Sequence, residues 1–245
     1  MLKAVLLDLD NTLILFDETA FYQRFMRRII PFFNDILPYD QFRDRLLLAI
    51  RELRRNNGQV NNRSYFLSIF CDGLAISAPL IWERFLRFYE TAYDKIAVEV
   101  STPQGIETLL EQLSARGLKL VLATNPLFPE VAVRVRLDWA GIDPDRFVLI
   151  THMENMHYVK PRIEYYQSIC HMITTDPEHC LMVGNDRNND MVAGAAGIKT
   201  FLSTEVGEID YAAVSKGGLP PSQACAADFS GPMAQVLDVV SQLLD

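Results

Sequence analysis

The chain has 245 residues, 49% of them hydrophobic and 22% charged, enough for one large α/β domain or for a core carrying a second, smaller domain. Its formal net charge of −8 argues against nonspecific nucleic-acid binding, and no apolar run approaches the roughly 18 residues that a membrane span needs. The N-terminal segment Met-Leu-Lys-Ala-Val-Leu-Leu-Asp turns acidic too soon for a secretion signal, so a cytoplasmic location is expected.

Residues 3 to 8, Lys-Ala-Val-Leu-Leu-Asp, form a short apolar run ending in acid, the pattern of a strand buried on both faces of a parallel sheet. Residues 14 to 97 then read as helices throughout. Apolar residues recur at Phe21, Phe25 and Ile29, at Phe42, Leu46, Ile50 and Leu53, and at Ile81, Phe85, Phe88 and Tyr89. Pro31, Pro38 and the polar stretch Asn56 to Asn62 punctuate them. Between Leu13 and Ala97 stand 12 Lys/Arg and 10 Asp/Glu, against 11 and 21 in the remainder. A nearly neutral helical insert in an acidic chain predicts a separate unit, 14–97, set into a core of 1–13 and 98–245.

The buried-strand pattern returns at Leu118 to Ala123, Phe147 to Thr151, Cys180 to Gly184 and Ile198 to Leu202. Helical spacing lies between these runs. It is carried by Ile106, Leu109, Leu110 and Leu113, then by Val131, Val135 and Trp139, then by Ile163, Tyr166, Ile169, Cys170 and Ile173 behind a first-turn Pro161. Strands alternating with helices predict a doubly wound parallel sheet. Thr204 to Pro232, rich in proline and glycine, reads as a long surface excursion. The four cysteines form no CxxC, and the pairs Cys170-His171 and His179-Cys180 read as buried thiols beside surface histidines rather than a zinc site.

Four places carry chemistry. Asp8 and Asp10 lie where the first strand gives way to a loop, in Asp8-Leu9-Asp10-Asn11-Thr12, at the crevice where open α/β sheets bind ligands. Two carboxylates so close repel each other unless a cation or hydrogen bonds hold them. The second buried run ends in Thr124-Asn125, Lys160 precedes a helix, and the fourth run ends in Gly184-Asn185-Asp186-Arg187-Asn188-Asn189-Asp190. Each element alone has a bland reading as turn chemistry, an exposed lysine or a helix cap. Together and in this order they point to one site.

In that order the chain resembles the haloacid dehalogenase superfamily. Asp8 to Leu13 is similar to its first motif, Thr124 to the second, Lys160 to the third, and Asp186 with Asp190 to the fourth. The helical insert is similar to the family's C1 type of cap. The family's usual glycine after the second aspartate is Asn11 here, and Asn185 stands where relatives often carry an acid or a glycine. The resemblance implies Mg2+ held by the carboxylates of Asp8 and Asp186 and the backbone carbonyl of Asp10, with Asp190 steadying metal waters or Lys160. It implies Asp8 as nucleophile, Asp10 as general acid and base, Lys160 offsetting charge, and Thr124, Asn125 and backbone amides holding phosphoryl oxygens. Such parts suit phosphoryl transfer, which is positioning plus electrostatic stabilisation.

The family's dehalogenases lack a partner such as Asp10, so a phosphatase acting on a small phosphorylated metabolite is expected. A phosphomutase shares the same motifs, and a catalytically silent binding scaffold is the alternative from another class. A response-regulator receiver gathers similar groups, but its phosphorylated aspartate ends a middle strand and its chain is about half this length. Arg51, Arg54 and Arg55 read as a solvated helix face, and Phe21, Phe25, Phe85 and Phe88 as packing within the cap.

Overall fold

The computed structural model describes residues 1–97, 99–207 and 225–244. Its centre is a six-stranded, wholly parallel sheet in the order β3-β2-β1-β4-β5-β6. The strands are β1 (Ala4–Leu7), β2 (Lys119–Leu122), β3 (Leu149–Ile150), β4 (Cys180–Gly184), β5 (Lys199–Ser203) and β6 (Phe229–Gly231). The four expected later strands form where the apolar runs lie. β6 falls inside the stretch read as a surface excursion, and three residues are too few to show a period; 208–224 of that stretch lie outside the described residues.

Alternation along β1 divides the core. Val5 and Leu7 face a cluster completed by α5 (Ile106–Ala115) and α8 (Val236–Leu244), whereas Ala4 and Leu6 face α7 (Ile163–Met172). Both faces are buried, as an all-parallel sheet requires. β1 is central, flanked by β2 and β4, and the chain leaves β1 on one side and returns to the other. That reversal opens a crevice beyond the strands' carboxyl ends. Cys170 on α7 and Cys180 at the start of β4 are buried free thiols 3.9 Å apart.

Between β1 and β2 the chain forms α1 (Glu18–Ile29), α2 (Tyr39–Glu52), α3 (Asn62–Phe70) and α4 (Ala78–Thr91). The two ends of this excursion pair, Leu15 and Ser101 exchanging backbone hydrogen bonds of 2.8 and 3.0 Å. Its interior is aromatic: Phe33, Phe42, Phe70 and Phe85 meet at centroid separations of 4.6–6.3 Å. The same cluster continues onto α6 (Glu130–Trp139) through Ala132 and onto the loops at Met153 and Val159. No described helix is long and apolar enough to cross a membrane.

A second seam is polar. Asn56 and Asn62 are fully buried, although their stretch reads as polar punctuation between helices. Asn56 Nδ2 donates to Asn62 Oδ1 at 3.0 Å, and Asn62 Nδ2 donates to the Tyr158 carbonyl at 3.1 Å. Asn61 Nδ2 reaches the Glu154 carbonyl, and the Asn62 and Arg63 amides donate to Met156 and Met153. Gly58, at φ +86°, packs so closely on Tyr158 that a Cβ would collide with its ring. The helical insert is thus bonded to the segment that leads into Lys160.

Candidate active site

The sheet's hydrogen bonds run past the strand ends and fix the first acid. The Asp8 amide donates to Val183 at 2.9 Å, and the Ala123 amide donates to Leu7 at 2.8 Å. Asp8 therefore sits level with Ala123, just ahead of the Thr124-Asn125 turn, on one side and with Gly184, just ahead of Asn185, on the other. Beyond it the chain turns sharply, and Asn11 takes φ +59°, a left-handed conformation that asparagine tolerates better than most residues. Its side chain ties the turn, donating to Glu18 at 2.7 Å and accepting the Phe16 amide at 3.4 Å.

Lys160 reaches the carboxyl edge of the sheet from the loop after β3. It is 1% exposed, and its ammonium donates to Asp8 Oδ1 at 2.7 Å and to Asp190 Oδ1 at 2.6 Å. Burial alone would lower its pKa, but the Asp190 and Asp8 carboxylates more than offset that and hold it well above the ordinary lysine range. Burial pushes the Asp190 carboxyl up to about 7, against the pull of Lys160. The Lys160 amide donates to Asn125 Oδ1 at 3.2 Å, and the Thr124 carbonyl accepts the hydroxyls of Thr151 and Tyr165 at 2.7 and 2.8 Å. Pro161 lies outside the helix, which begins at Ile163 with Arg162 as its cap residue.

The fourth loop divides its side chains differently from what its sequence suggests. Asp190 Oδ2 accepts the Asp186 amide at 3.0 Å. The Asp186 carboxylate accepts the Asn188 and Asn189 amides at 2.8 Å and the Asn189 side chain at 2.6 Å, so it caps its own loop. Asn185 also approaches Asp8: the buried Thr12 hydroxyl lies 3.3 Å from Asn185 Oδ1 and 3.4 Å from Asp8 Oδ2. Asp186 remains near enough for its charge to raise the Asp190 carboxyl.

Asp10 has a partner that sequence reading missed. Arg136 of α6, 1% exposed, donates from Nη1 to Asp10 Oδ2 at 2.6 Å and from Nε to Tyr93 Oη at 2.8 Å. Its guanidinium lies 3.9 Å from the Phe128 ring centroid and 5.1 Å from that of Phe21. The other oxygen of Asp10, Oδ1, is buried without a hydrogen-bond partner among the described residues. Burial pushes the Asp10 carboxyl up to about 6, with Arg136 pulling it down and Asp8 pushing it further up. The signal was an arginine on a buried helix face: Ala132, Val133, Arg136 and Leu137 are the buried residues of α6, while Val131, Val135 and Trp139 are half-buried against the insert.

Arg51 and Arg55 pair with Glu52 on an exposed surface, at 60% and 75% side-chain exposure. Phe21, Phe25, Phe85 and Phe88 are buried. Phe21, Phe25 and Phe85 also line an apolar cavity of about 100 Å³, closed on the core side by Leu127, Phe128 and Met153.

Five acids gather here, Asp8, Asp10, Glu18, Asp186 and Asp190, and the carboxyls of Asp10, Glu18 and Asp190 are each pushed up by the charge of at least one other. Lys160 and Arg136 answer them. Among the described residues no three His, Cys, Asp or Glu side chains form a group able to hold a metal ion on their own. An ion at Asp8 would therefore draw on backbone, amide or water oxygens as well. The acid excess and the oxygen-only donors suit a hard divalent cation.

A family model described as haloacid dehalogenase-like hydrolase matches residues 2–197. No curated protein matches by sequence. Among solved structures the chain is similar to 2-haloacid dehalogenase from Pseudomonas syringae pv. Tomato DC3000, at 17% identity and TM-score 0.62 over 99% of both chains. It is similar to a HAD phosphatase from Thermococcus onnurineus, at 19% identity and TM-score 0.57 over 98% of both. It is also similar to CbbY from Rhodobacter sphaeroides in complex with phosphate, at 18% identity and TM-score 0.58 over 94% of this chain and 93% of that one. At these identities the likeness is one of fold.

Proposed function

The chain belongs to the haloacid dehalogenase-like hydrolases, and from that premise we propose that it is a Mg2+-dependent phosphatase of small phosphate monoesters. The observation that carries this reading is the second acid. Asp10 follows Asp8 by two residues and keeps one buried carboxylate oxygen unbonded while Arg136 holds the other. Carbon–halogen cleavage needs one nucleophilic carboxylate; ester cleavage also needs a group that protonates an alkoxide.

On this reading Lys160 holds Asp8 Oδ1, leaving Oδ2 to attack phosphorus. The new bond is an acyl phosphate, and the bond from phosphorus to the alcohol oxygen breaks as Asp10 supplies its proton. Asp10 then takes a proton from water, whose oxygen attacks phosphorus and releases phosphate and the Asp8 carboxylate. Thr124 and Asn125 hold phosphoryl oxygens at the end of β2. Asp190, which bonds Lys160, keeps the ammonium in place.

Mg2+ would be held by Asp8, Asp186 and the Asp10 backbone carbonyl, with the Asn185 amide oxygen beside Thr12 as a further donor from this chain. When bound it neutralises charge between an anionic ester and an anionic nucleophile. Residues 14–97 form the cap in this account, and the rest of the chain the catalytic core.

The test is release of inorganic phosphate from sugar phosphates, nucleoside monophosphates and phosphoglycolate, with Mg2+ and with chelator, beside an Asp8→Asn control. Release that needs Mg2+ and Asp8 is the expected result. Equal rates in chelator would remove the metal from the account, and a fully active Asp8→Asn would remove the covalent step.

A further inference from the structure

An arginine that is fully buried, charged and stacked between aromatic rings is costly unless every donor is used well. Arg136 has Nε and Nη1 bonded, to one phenol hydroxyl and one carboxylate, and lies against two ring faces. Three of these four partners have other reasons to be where they are. Tyr93 stacks on Trp139, Phe21 packs against Phe25, and Phe128 packs against both Phe21 and Phe25. Asp10 is the partner with no other hydrogen bond to either carboxylate oxygen among the described residues.

We propose that Arg136 is a positioning residue for the reaction. It grips Asp10 Oδ2, fixes the orientation of the carboxylate that serves the leaving-group oxygen, and is itself aimed by Tyr93 and Phe21 of the helical insert. The inference rests on the reading of Asp10 as general acid and base. Without the grip, a carboxylate at the end of a sharp turn would rotate about its own side-chain bonds. Its oxygen would then spend only part of its time within proton-transfer range. General acid–base catalysis contributes roughly 10²- to 10⁴-fold, and loss of orientation forfeits part of that. Because Nε and Nη1 are fixed on one planar fork, lysine cannot hold Asp10 and Tyr93 together.

The experiment is steady-state turnover of the best ester by wild type, R136M, R136K, Y93F, D10N and the double variant D10N/R136M, with circular dichroism and thermal melts confirming folding. R136M should lower kcat by about 10- to 100-fold while KM moves less than about threefold, with R136K between R136M and wild type. Y93F should give a smaller kcat loss, with the Arg136–Asp10 ion pair left in place. In the D10N background the further loss from R136M should shrink to less than about twofold, because the group it positions is already disabled. A kcat unchanged in folded R136M would overturn the inference, as would an equal loss from R136M with and without D10N. If R136M fails to fold, R136K and Y93F decide: wild-type kcat in both would overturn it. Wild type showing no Asp8-dependent release would overturn the phosphatase reading and this inference with it. Asp8-dependent release with R136M indistinguishable from wild type would overturn the inference alone.

Discussion

Asp8 and Asp10 are two residues apart, yet different regions of the molecule hold them. Asp8 belongs to the end of the sheet: its amide continues the strand ladder and its carboxylate meets Lys160, which is pinned by Asn125 and Asp190. Asp10 belongs to the seam between core and insert, where Arg136 of α6 answers to Tyr93 and Phe21 from the inserted helices. The first arrangement depends on strand register. The second depends on how two packed bodies meet, so a change in either body reaches Asp10.

The largest effect expected on the sheet side is that of Asp8→Asn, which should lower kcat by at least about 10⁴-fold in protein whose circular dichroism is still that of the folded chain. A fall of less than tenfold would break the contrast, since Asp8 would then be no more than a site lining. Next is Lys160→Met, which leaves Asp8 and Asp190 facing each other without their cation. Removing one member of a buried ion cluster costs about 3–5 kcal/mol, to be read from urea unfolding. A cost below 1 kcal/mol would mean that this end of the sheet relaxes easily.

How much of this was legible in the sequence follows the same division. A buried strand announces itself as an apolar run and its end by the first polar residue, so Asp8, Thr124 and the fourth loop could be placed in one crevice before any coordinates. Lys160 alone reads as an exposed lysine at the start of a helix, and its place in the site came from the resemblance of the four motifs in their order. Arg136 could not be placed, since an arginine in a short amphipathic helix ordinarily reads as solvent-facing, and Val131, Val135 and Trp139 already account for the helical period. The hydrogen bonding within the fourth loop was also hidden: local amides bond the Asp186 carboxylate, and Asn185 approaches Asp8 through Thr12. No periodicity encodes that choice. The Asn-rich stretch misled for a related reason, because asparagines normally mark solvated turns, and these are buried with backbone carbonyls as partners.

That stretch offers a finer test of the seam. Asn62→Ala removes a buried amide that joins Asn56 to the Tyr158 carbonyl, and should cost about 1–3 kcal/mol. Activity should fall only as far as the loss of folded protein explains; a kcat drop beyond that would show that this contact also positions Lys160. The smallest effect is expected from Arg51→Ala. Its side chain is 60% exposed and pairs at 3.5 Å with Glu52, so stability should change by no more than about 0.5 kcal/mol and KM should stay at the wild-type value. A several-fold rise in KM would place ligand contacts on that helix.

The pocket of about 100 Å³ between the aromatic rings and Met153 leaves the seam less densely filled than the sheet. Hydrostatic pressure favours whichever state holds less empty volume, and unfolding volumes of small proteins, on the order of −20 to −100 mL/mol, scale with the voids that disappear. Squeezing this protein should therefore part the insert from the core before it disturbs the close-packed sheet. Asp10 would lose its grip while Asp8 and Lys160 kept theirs.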